Sequence, residues 1–540
     1  MNIFGWDVPL WVSLTAIVIT LLYWYGTATY GYFKSRGVPY KPAYIPFLGD
    51  VIEYLTVPHT IIQRRTMKRY PGKVYGTFQG RTPVLQVANA EFVKEITIKE
   101  FSSFTNRRDL VDEDSIAGNH IGMIRDDHWK HVRSLLSPTF TSGKLKQMYS
   151  VIQGCSDKFV KHLRSTKAEP IAIKNYTAGY TMDVIASTAF GLDIDSQERT
   201  DHPFIYHAKS FFFRPKDDRF SSKLSSFLGI VILLLCPKTL KRILARFVDV
   251  SFLGAETMEY FGNILNTVFS QTQSQLEKRK DFISMCSDKV VDLDKVDKDS
   301  IKVTNGKNGQ LKMWVNNNSC QQIALNRLSK RDVLANAAIF ISAGYETTGS
   351  TLEYFFYIMA VHPEIQHKLH TLIAEVVDEN GECPYEDLKK LEYLDWCIDE
   401  TMRMFSIATR LEREAKTDIT VKGIPISKGD GVQIQIHALH YDPDYWTDPE
   451  KFNPDRFAPE NQTEVQQYVF IPFGSGGRRC IGARLALLEM KVVIMKTLTA
   501  FSFQKSADTP EMKDIVFAPG FGALQTTTPL KVSAVPRKAV

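Results

Sequence analysis

An uncharged, strongly apolar stretch occupies residues 8–33. A helix of about 20 such residues crosses the hydrocarbon core of a bilayer. The stretch ends in aromatic residues followed by Lys34 and Arg36, whereas a secretory signal has a shorter apolar core and ends in small residues. The pattern predicts an uncleaved membrane anchor in residues 1–36, with the rest of the chain on the cytoplasmic side, where the basic flank lies. A buried N-terminal core helix is the alternative, which the length and the flanks disfavour.

Proline and short alternating runs follow the anchor. Residues 37–50 contain three prolines, which fix φ and exclude a helix, so we expect a stiff extended hinge. Apolar and polar residues alternate in residues 73–80 and 83–87, which predicts a β-hairpin. From about Glu91 onward, apolar positions recur mostly at helical spacing. The sequence therefore predicts a mainly α domain with small β-sheets over residues 51–540.

Two segments depart from the helical pattern. Residues 227–236 are apolar but too few to span a bilayer, so they fit either a buried helix or an element that dips into the membrane. Residues 287–328 are polar and rich in Asp, Lys, Asn and Gly, and we expect a flexible surface loop there.

Composition excludes several classes of protein. With 44% hydrophobic and 23% charged residues, the 540-residue chain has enough apolar material for a large core and is not disordered. The net charge of +6 is spread without a long basic run, so we expect no nucleic-acid partner. The seven cysteines are dispersed without a CxxC pair, which predicts neither a disulfide framework nor a zinc site and is typical of a reducing compartment.

One cysteine, Cys480, stands in a glycine-rich turn at the start of a predicted helix. Backbone N–H groups and the helix dipole at such a position favour the thiolate, which binds iron. Gly476 and Gly482 allow the backbone to approach a flat ligand closely. Arg478 offers a charge for an acidic side group of that ligand, and Phe473 shields the sulfur from water. An inert cysteine in a chance glycine loop is the weaker interpretation.

The spacing F-x-x-G-x-R-x-C-x-G of this turn resembles the haem-ligand loop of the cytochrome P-450 monooxygenases. The resemblance implies the cytochrome P-450 fold and haem b as cofactor, with Cys480 as the thiolate ligand of the iron. It also implies electrons from NADPH delivered by a flavin reductase, NADPH-cytochrome reductase, with cytochrome b5 as a further candidate partner. The implied location is the endoplasmic reticulum membrane, with a single-pass anchor and a cytoplasmic catalytic domain.

A long helix is predicted upstream, beginning at the capping residue Ser329. Midway lie Ala343 and Gly344, small residues in a segment that resembles the oxygen-binding segment of the family. The resemblance implies that Thr347 donates a hydrogen bond during oxygen activation and that Glu346 relays protons. Without the resemblance, an ordinary core helix would be the better interpretation.

Several charged residues match other motifs of the family. Glu400 and Arg403, three residues apart on one helical face, match with Arg456 the Glu-Arg-Arg triad of the family. We expect this triad to have a structural role beneath the haem. The residues expected to reach a haem propionate are Trp129, Arg133, Arg107 and Arg413.

Further blocks resemble the microsomal family-three, subfamily-A drug-oxidising enzymes, and the resemblance extends from the anchor to about residue 535. It implies a large apolar substrate pocket. From their charge, we expect Asp112 to Asp114 to lie at the mouth of this pocket and to favour lipophilic amines. Ser342, Ser406 and these acidic residues depart from the family pattern, so the resemblance does not identify the substrate. The blocks are residues 104–108, 134–144, 343–348, 410–413 and 445–452. The residues expected to line the pocket are Phe104, Ile341, Ala343, Ile407, Ala408 and Phe521.

The implied function is a monooxygenase that uses O2 and NADPH-derived electrons to oxidise lipophilic substrates such as xenobiotics, steroids or fatty-acid-like compounds. A haem-thiolate isomerase of the thromboxane-synthase type and a non-catalytic haem-binding sensor are the alternatives. Glu346 and Thr347 favour the oxygenase, because neither alternative needs a proton relay. A basic patch near Cys480 would receive the acidic reductase. Its candidate residues are Lys130, His131, Arg133, Lys144, Lys146 and Arg479.

Overall fold

The computed structural model of the chain consists mainly of helices with several small sheets, as the hydrophobic pattern predicts. It describes residues 2–3, 6–7, 9–108, 118–199, 202–210, 255–269, 282–283, 290–291, 301–305, 311–315, 321–323, 328–378, 381–520 and 522–537. The α-helices are α1 (Leu10–Thr27), α2 (Val51–Thr56), α3 (His59–Arg69), α4 (Ala90–Lys94), α5 (Asp126–Leu136), α6 (Ser142–Ser165), α7 (Ile173–Phe190), α8 (Pro203–Ser210), α9 (Ala255–Phe269), α10 (Lys330–Val361), α11 (Pro363–Ala374), α12 (Glu392–Met404), α13 (Ile436–His440), α14 (Gln466–Val469) and α15 (Ala483–Ala500).

The described strands form small separate sheets. The strands are β1 (Asn2–Ile3), β2 (Trp6–Asp7), β3 (Val74–Gln79), β4 (Thr82–Val87), β5 (Pro170–Ala172), β6 (Val290–Val291), β7 (Ile301–Asn305), β8 (Leu311–Val315), β9 (Gln321–Ile323), β10 (Leu328–Ser329), β11 (Arg410–Glu414), β12 (Ile419–Val421), β13 (Ile424–Ile426), β14 (Gly431–Gln435), β15 (Phe501–Lys505) and β16 (Lys531–Pro536). A four-stranded mixed sheet, here called the first sheet, has the order β11-β14-β4-β3. Its β3 and β4 are antiparallel and correspond to the predicted hairpin, whereas β4 and β14 are parallel. A three-stranded antiparallel sheet has the order β15-β16-β5.

The polar segment after Ser287 contains strands that its overall polarity does not predict. The strands β7, β8 and β9 pair antiparallel, with Val303 opposite Met313. The strand β6 pairs in parallel with β10. Apolar and polar residues alternate only in residues 301–304 and 311–313, and a Gly-Lys-Asn-Gly run lies between these two stretches in the sequence. The expectation of a loop therefore does not hold for residues 301–305, 311–315 and 321–323, because so short an alternation is not visible in a polar composition.

Helix α10 runs through the interior of the protein. The Ser329 hydroxyl accepts a hydrogen bond from the Asp332 backbone N–H at 3.0 Å, and the Asp332 carboxylate accepts one from the Ser329 N–H at 3.1 Å. These two bonds satisfy free N–H groups at the start of the helix. Helix α7 packs closely against α10 because Gly344 has no side chain. A Cβ on Gly344 would lie 2.9 Å from Cδ1 of Ile185.

Helix α1 presents apolar side chains along an exposed surface. Among the described residues it is the helix that is long and apolar enough to cross a membrane. Trp11 and Trp24 are 69% and 67% exposed, respectively. The chain after α1 returns to the globular body, where Phe33 is only 4% exposed. The last residues of the predicted anchor, residues 1–36, are therefore packed in the globular domain.

Candidate active site

A cavity of about 440 Å³ is lined by α10, α15 and the turn that precedes α15, together with other segments. Its wall is mostly apolar and also carries several guanidinium groups. These side chains come from widely separated parts of the sequence, so only folding brings them together. The residues singled out in the sequence that line the cavity are Arg107, Trp129, Arg133, Ala343, Gly344, Thr347, Ile407, Ala408, Phe473, Arg478, Arg479, Cys480 and Gly482.

The Cys480 thiol is exposed to this cavity. The Cys480 backbone N–H donates a hydrogen bond to the Phe473 carbonyl oxygen at 2.8 Å, which closes the turn. Burial raises the pKa of the thiol, while the Gly482 backbone N–H and the charges of Arg133 and Arg107 lower it. The position before a helix therefore does not outweigh burial. A thiolate at this position needs the positive charge of a bound metal.

The guanidinium groups of Arg107, Arg133 and Arg478 line the cavity, and that of Arg413 acts on Arg478 from outside the cavity wall. Burial lowers the pKa of Arg478, and the positive charges of the other three lower it further. The guanidinium carbon of Arg478 lies 4.1 Å from the ring centre of Trp129. The Nε of Arg413 is buried without a hydrogen-bond partner among the described residues. Such a concentration of buried positive charge requires anions for its stability.

Haem fits this set of residues. Its two propionates would neutralise positive charge of the arginine cluster, and Cys480 would supply a thiolate to hold the iron. At Gly482 there is open space, since a Cβ would meet no atom within 4 Å. In the described part of the chain, no group of three or more His, Cys, Asp or Glu residues could hold a metal ion.

Gly476 and Arg478 hold the turn itself. Gly476 has a φ of +69°, and a Cβ would lie 1.8 Å from the Thr97 carbonyl oxygen, so its missing side chain serves loop packing. The sequence interpretation assigned it instead to the approach of a ligand, but Gly476 does not line the cavity. Arg478 donates hydrogen bonds at 2.8 to 3.0 Å to three backbone carbonyl oxygens. The acceptors belong to Thr105, Ile121 and Ile124.

Helix α10 contributes Ala343, Gly344 and Thr347 to the cavity wall. The Thr347 hydroxyl donates a hydrogen bond to the Ala343 carbonyl oxygen at 2.6 Å, and the side chain stays exposed to the cavity. Gly344 serves the close approach of α7 as well as the space beside the helix, because a side chain there would contact Ile185. The hydroxyl of Thr347 is therefore oriented by α10 itself.

Glu346 is not part of the cavity wall, although it is the neighbour of Thr347 in sequence. It is fully buried, and its Oε1 accepts hydrogen bonds from Lys174 Nζ at 2.9 Å, Ser350 Oγ at 3.1 Å and Gln525 Nε2 at 3.3 Å. Its Oε2 is buried without a partner in the described structure. Consecutive residues of an α-helix point about 100° apart, so the acid and the alcohol face different sides of α10.

Glu400, Arg403 and Arg456 form one cluster beside α12. Arg403 donates from Nε to Glu400 Oε2 at 2.7 Å and from Nη2 to Oε1 at 2.9 Å. Arg456 donates from Nε to Glu400 Oε1 at 3.2 Å. Arg403 also donates to the His440 carbonyl oxygen at 2.7 Å. Because Glu400 and Arg403 are fully buried, these bonds are shielded from water and connect α12 to the chain around residues 440–456.

Arg413 and two of the expected pocket residues lie outside the cavity wall. Arg413 is buried and donates to the Glu412 carbonyl oxygen at 2.8 Å. Phe104 is fully buried in the apolar cluster around the first sheet. Ile341 is fully buried among side chains of the neighbouring helices, because it lies on another face of α10 than Thr347. Outside the described residues lie Phe521, Asp112 to Asp114 and residues 227–236.

Glu489 lines the cavity, and sequence reasoning missed it. Burial raises the pKa of its carboxyl group to about 8, and a hydrogen bond with Thr348 lowers it, so the group is protonated at neutral pH. Leu485, Ala486 and Met490 of the same helix also line the cavity. Their spacing follows one face of a helix that begins just after the cysteine turn, which is the signal that could have identified them.

His120 is a second cavity residue that the sequence does not single out. Its Nδ1 accepts a hydrogen bond from the Gly122 backbone N–H at 3.0 Å. Arg107 donates from Nη1 to the Gly122 carbonyl oxygen at 2.9 Å, which places both side chains at one bend of the chain. Burial and the charge of Arg107 lower the pKa of His120 to about 3, so the imidazole is neutral. Nothing in the local sequence pattern distinguishes this histidine from others.

The mainly helical fold, the cavity and its exposed cysteine thiol define the class of haem-thiolate proteins. Residues 39–533 match the family description "Cytochrome P450". The chain is 38% identical over 538 residues to cytochrome P450 3A11 of Mus musculus, covering 98% of this chain and 97% of that protein. It is 36% identical over 551 positions to cytochrome P450 3A41 of Mus musculus, covering 100% and 99%. It is 35% identical over 506 residues to cytochrome P450 3A5 of Homo sapiens, covering 93% and 92%.

The chain therefore belongs to the cytochrome P450 family. It is a haem-thiolate monooxygenase that acts on lipophilic substrates, and the isomerase and sensor alternatives are not favoured. Its cofactor is haem b, and its electrons come from NADPH through cytochrome P450 reductase. Its partners are this reductase, cytochrome b5 and lipophilic substrates at a membrane.

Proposed function

We propose that Cys480 is the protein ligand of the haem iron and that the arginine cluster holds the propionates. The support is one observation: the Cys480 thiol and the guanidinium groups of Arg107, Arg133 and Arg478 line the same cavity, with Arg413 beyond its wall. Haem, when bound, supplies the redox chemistry by which one oxygen atom of O2 enters the substrate. The residues proposed to hold haem are Arg107, Trp129, Arg133, Ala343, Gly344, Arg413, Phe473, Gly476, Arg478 and Gly482. Of these, Arg413 and Gly476 do not line the cavity and would act through the residues that do.

Thr347 and Glu346 are proposed to transfer protons to groups in the cavity. The Thr347 hydroxyl faces the cavity and is held by the Ala343 carbonyl oxygen, so it can donate to a group in the cavity after a small rotation. Glu346 lies one residue away but is bonded to Lys174. For Glu346 to exchange a proton with the cavity, this ion pair has to open. The triad of Glu400, Arg403 and Arg456 is proposed to contribute structure, because its charged groups are bonded to one another and to the His440 carbonyl oxygen.

The substrate is proposed to be a sizeable lipophilic molecule bound against the apolar part of the cavity. Ile407 and Ala408 lie in its wall, together with Phe140, Phe282 and Phe340. Few polar side chains interrupt this part of the wall, and an apolar surface of this kind binds its ligand through burial of apolar area.

Anchoring in the endoplasmic reticulum membrane by α1 is the proposed location, with the globular domain in the cytoplasm. The 18 residues of α1 span about 27 Å at 1.5 Å per residue, close to the thickness of the hydrocarbon core. Lys34 and Arg36 follow the helix, and basic flanks stay on the cytoplasmic side.

The reductase is proposed to dock beside Cys480, on the exposed basic side chains of α5, α6 and the cysteine turn. Arg479 is exposed next to the ligand cysteine. Lys130 and Lys146 are also exposed, but they form ion pairs with Asp127 and Glu386. These surface pairs are weak, so an acidic partner can replace their carboxylates. The remaining members of this patch are His131, Arg133 and Lys144.

The change of Cys480 to alanine tests the proposed ligand. We expect Cys480→Ala to abolish the thiolate-type absorbance band of the reduced carbon monoxide complex, because the cavity wall has no other cysteine among the described residues. Cys383→Ala is the matched control, since this cysteine is buried away from the cavity and its loss leaves the band unchanged. A thiolate-type band that persists in Cys480→Ala would refute the assignment.

A further inference from the structure

A short turn of residues 120–124, here called the wall turn, carries His120 to the cavity wall. The Met123 and Ile124 backbone N–H groups donate to the His120 carbonyl oxygen at 2.8 and 3.1 Å, respectively. The Gly122 backbone N–H donates to His120 Nδ1 at 3.0 Å. The imidazole is therefore held against the backbone of its own turn.

Three side chains from other parts of the chain fix the wall turn. Arg107 donates from Nη1 to the Gly122 carbonyl oxygen at 2.9 Å. Arg478 donates to two further carbonyl oxygens of this turn at 3.0 and 2.8 Å. Asn336 of α10 is fully buried, and its Oδ1 accepts from the Ile121 backbone N–H at 2.9 Å. Because these bonds come from several directions, the side chains of the turn have fixed positions on the wall.

The hydrogen bond within the turn also decides which ring nitrogen of His120 carries a hydrogen. Nδ1 accepts from the Gly122 N–H, so the neutral imidazole carries its hydrogen on Nε2. Burial and the charge of Arg107 lower the pKa of His120 to about 3, which keeps the ring neutral. In the described part of the chain, no residue accepts a hydrogen bond from Nε2. The Nε2–H group is therefore a neutral donor whose hydrogen is available at the cavity.

The threonine hydroxyls of the wall differ from His120 in this respect. Four of them donate at 2.6 to 2.9 Å to backbone carbonyl oxygens three or four residues earlier in the chain. These four are Thr139, Thr188, Thr347 and Thr351. Their hydrogens are used within their own helices, whereas the hydrogen on His120 Nε2 is not.

The wall turn lies where the charged part of the cavity meets the apolar part. On one side it is bonded to Arg107 and Arg478, which are proposed to hold the propionates. On the other side it is bonded to Asn336, one helical turn before Phe340 of the apolar wall. His120 is therefore placed at the edge of the surface against which a lipophilic substrate would lie.

We propose that His120 Nε2–H donates a hydrogen bond to an oxygen of the substrate, so that the cavity selects lipophilic molecules that carry a carbonyl or ether oxygen. This inference rests on the proposed binding of a lipophilic substrate in this cavity. A hydrocarbon of the same shape would displace water from the donor and leave it unsatisfied, which costs binding free energy. The propionates do not need this neutral donor, because the neighbouring guanidinium groups offer them charge-assisted bonds.

Two ligands of one shape test the donor in the full-length, haem-loaded protein. Cyclododecanone has a carbonyl group where cyclododecane has a methylene group, and the change of haem absorbance on titration gives the Kd of each. In His120→Leu, which has no donor, we expect the ratio of the two Kd values to shift against the ketone by about fivefold to tenfold. Thr188→Val is the control, because it removes a wall hydroxyl whose hydrogen the Val184 carbonyl oxygen already accepts. An unchanged ratio in His120→Leu would overturn the proposal.

His120→Asn separates the donor from the integrity of the turn. An Asn side-chain oxygen can accept from the N–H two residues later, as Nδ1 does in the wild type, and its amide nitrogen can donate. We expect this variant to keep part of the preference for cyclododecanone that His120→Leu loses.

The infrared carbonyl stretch of bound cyclododecanone is a readout that a merely structural role would not move. A hydrogen bond lowers the frequency of this stretch, so we expect a low value in the wild type and in Thr188→Val. In His120→Leu the frequency should return towards its value in a hydrocarbon solvent. Equal frequencies in the wild type and His120→Leu would overturn the proposal.

Transfer of haem to apomyoglobin distinguishes a substrate oxygen from a propionate as the acceptor. Faster loss of haem from His120→Leu together with an unchanged ratio of Kd values would place the bond at a propionate and overturn the proposal. Failure of both ligands to change the haem absorbance of the wild type would refute the proposed substrate site itself. Selective weakening of cyclododecanone in His120→Leu, with cyclododecane still bound, supports the donor.

Discussion

Lys174 Nζ lies 2.9 Å from Oε1 of Glu346, the acid that precedes Thr347 in the sequence. Lys174 belongs to α7 and Glu346 to α10, so the ion pair joins two helices in the interior. Glu346 is fully buried, whereas the Lys174 side chain is 22% exposed. The pair therefore links a group near the cavity to one that reaches water, and its opening is the step that our proposal for Glu346 requires.

Breaking this ion pair should destabilise the protein. Lys174→Met leaves the Glu346 carboxylate buried without its cation, and we expect a loss of about 2 kcal/mol in the free energy of unfolding, discounted for the exposure of Lys174. Adding Glu346→Gln should recover most of that loss. Lys158→Met is the control, since its partner Asp193 is exposed, and its cost should stay below about 0.5 kcal/mol. Chemical denaturation measures all four proteins, and equal losses in the single and double variants would contradict the coupling.

Thr347→Ala should uncouple electron consumption from product formation. The hydroxyl faces the cavity, and without it NADPH should still be consumed while product per NADPH falls about tenfold or more and hydrogen peroxide appears. Thr347→Ser retains a hydroxyl and should keep most of the coupling. The ratio of product to NADPH is the measurement, and a wild-type ratio in Thr347→Ala would exclude the proton role.

Two glycines of the cysteine turn should respond differently to alanine. Gly476→Ala forces a side chain into a φ of +69° and against the Thr97 carbonyl oxygen, so we expect a loss of about 3 kcal/mol or more in stability. Gly482→Ala meets no protein atom, so the protein without haem should keep its stability, yet its methyl group enters the cavity wall. Haem content and thermal unfolding distinguish the two. A thermal unfolding temperature of Gly476→Ala equal to that of the wild type would contradict the close contact between residue 476 and the Thr97 carbonyl oxygen.

Glu489 should make stability depend on pH. Its ordinary pKa is 4.5 and the folded pKa is about 8, so between these values the folded protein holds a proton that the unfolded chain has lost. The contribution of Glu489 to the free energy of unfolding therefore falls as the pH rises from about 4.5 to about 8. Glu489→Gln removes that dependence and should be more stable than the wild type by a few kcal/mol at pH 9, with little difference at pH 4. Thermal unfolding across this pH range checks it, and parallel curves for both proteins would count against a buried, protonated Glu489.

Local patterns in the sequence were sufficient for the parts of the protein that depend on near neighbours. The length of the α1 stretch, the cap at Ser329 and the turn around Cys480 all involve residues close together in the chain. The backbone periods of helices and strands translate these patterns directly into elements. The same local logic explains the β3–β4 hairpin and, through the alternation of residues 301–304, part of β7.

The tertiary structure alone decided which way side chains face and what surrounds them. Glu346 and Thr347 are adjacent in sequence, yet the packing of α7 turns one towards Lys174 while the other meets the cavity. Gly476 matches the family motif, but only the fold shows that its close neighbour is Thr97. Likewise, no local pattern predicts that Phe33 packs against Gly76, because burial and electrostatics depend on contacts between residues far apart in the chain.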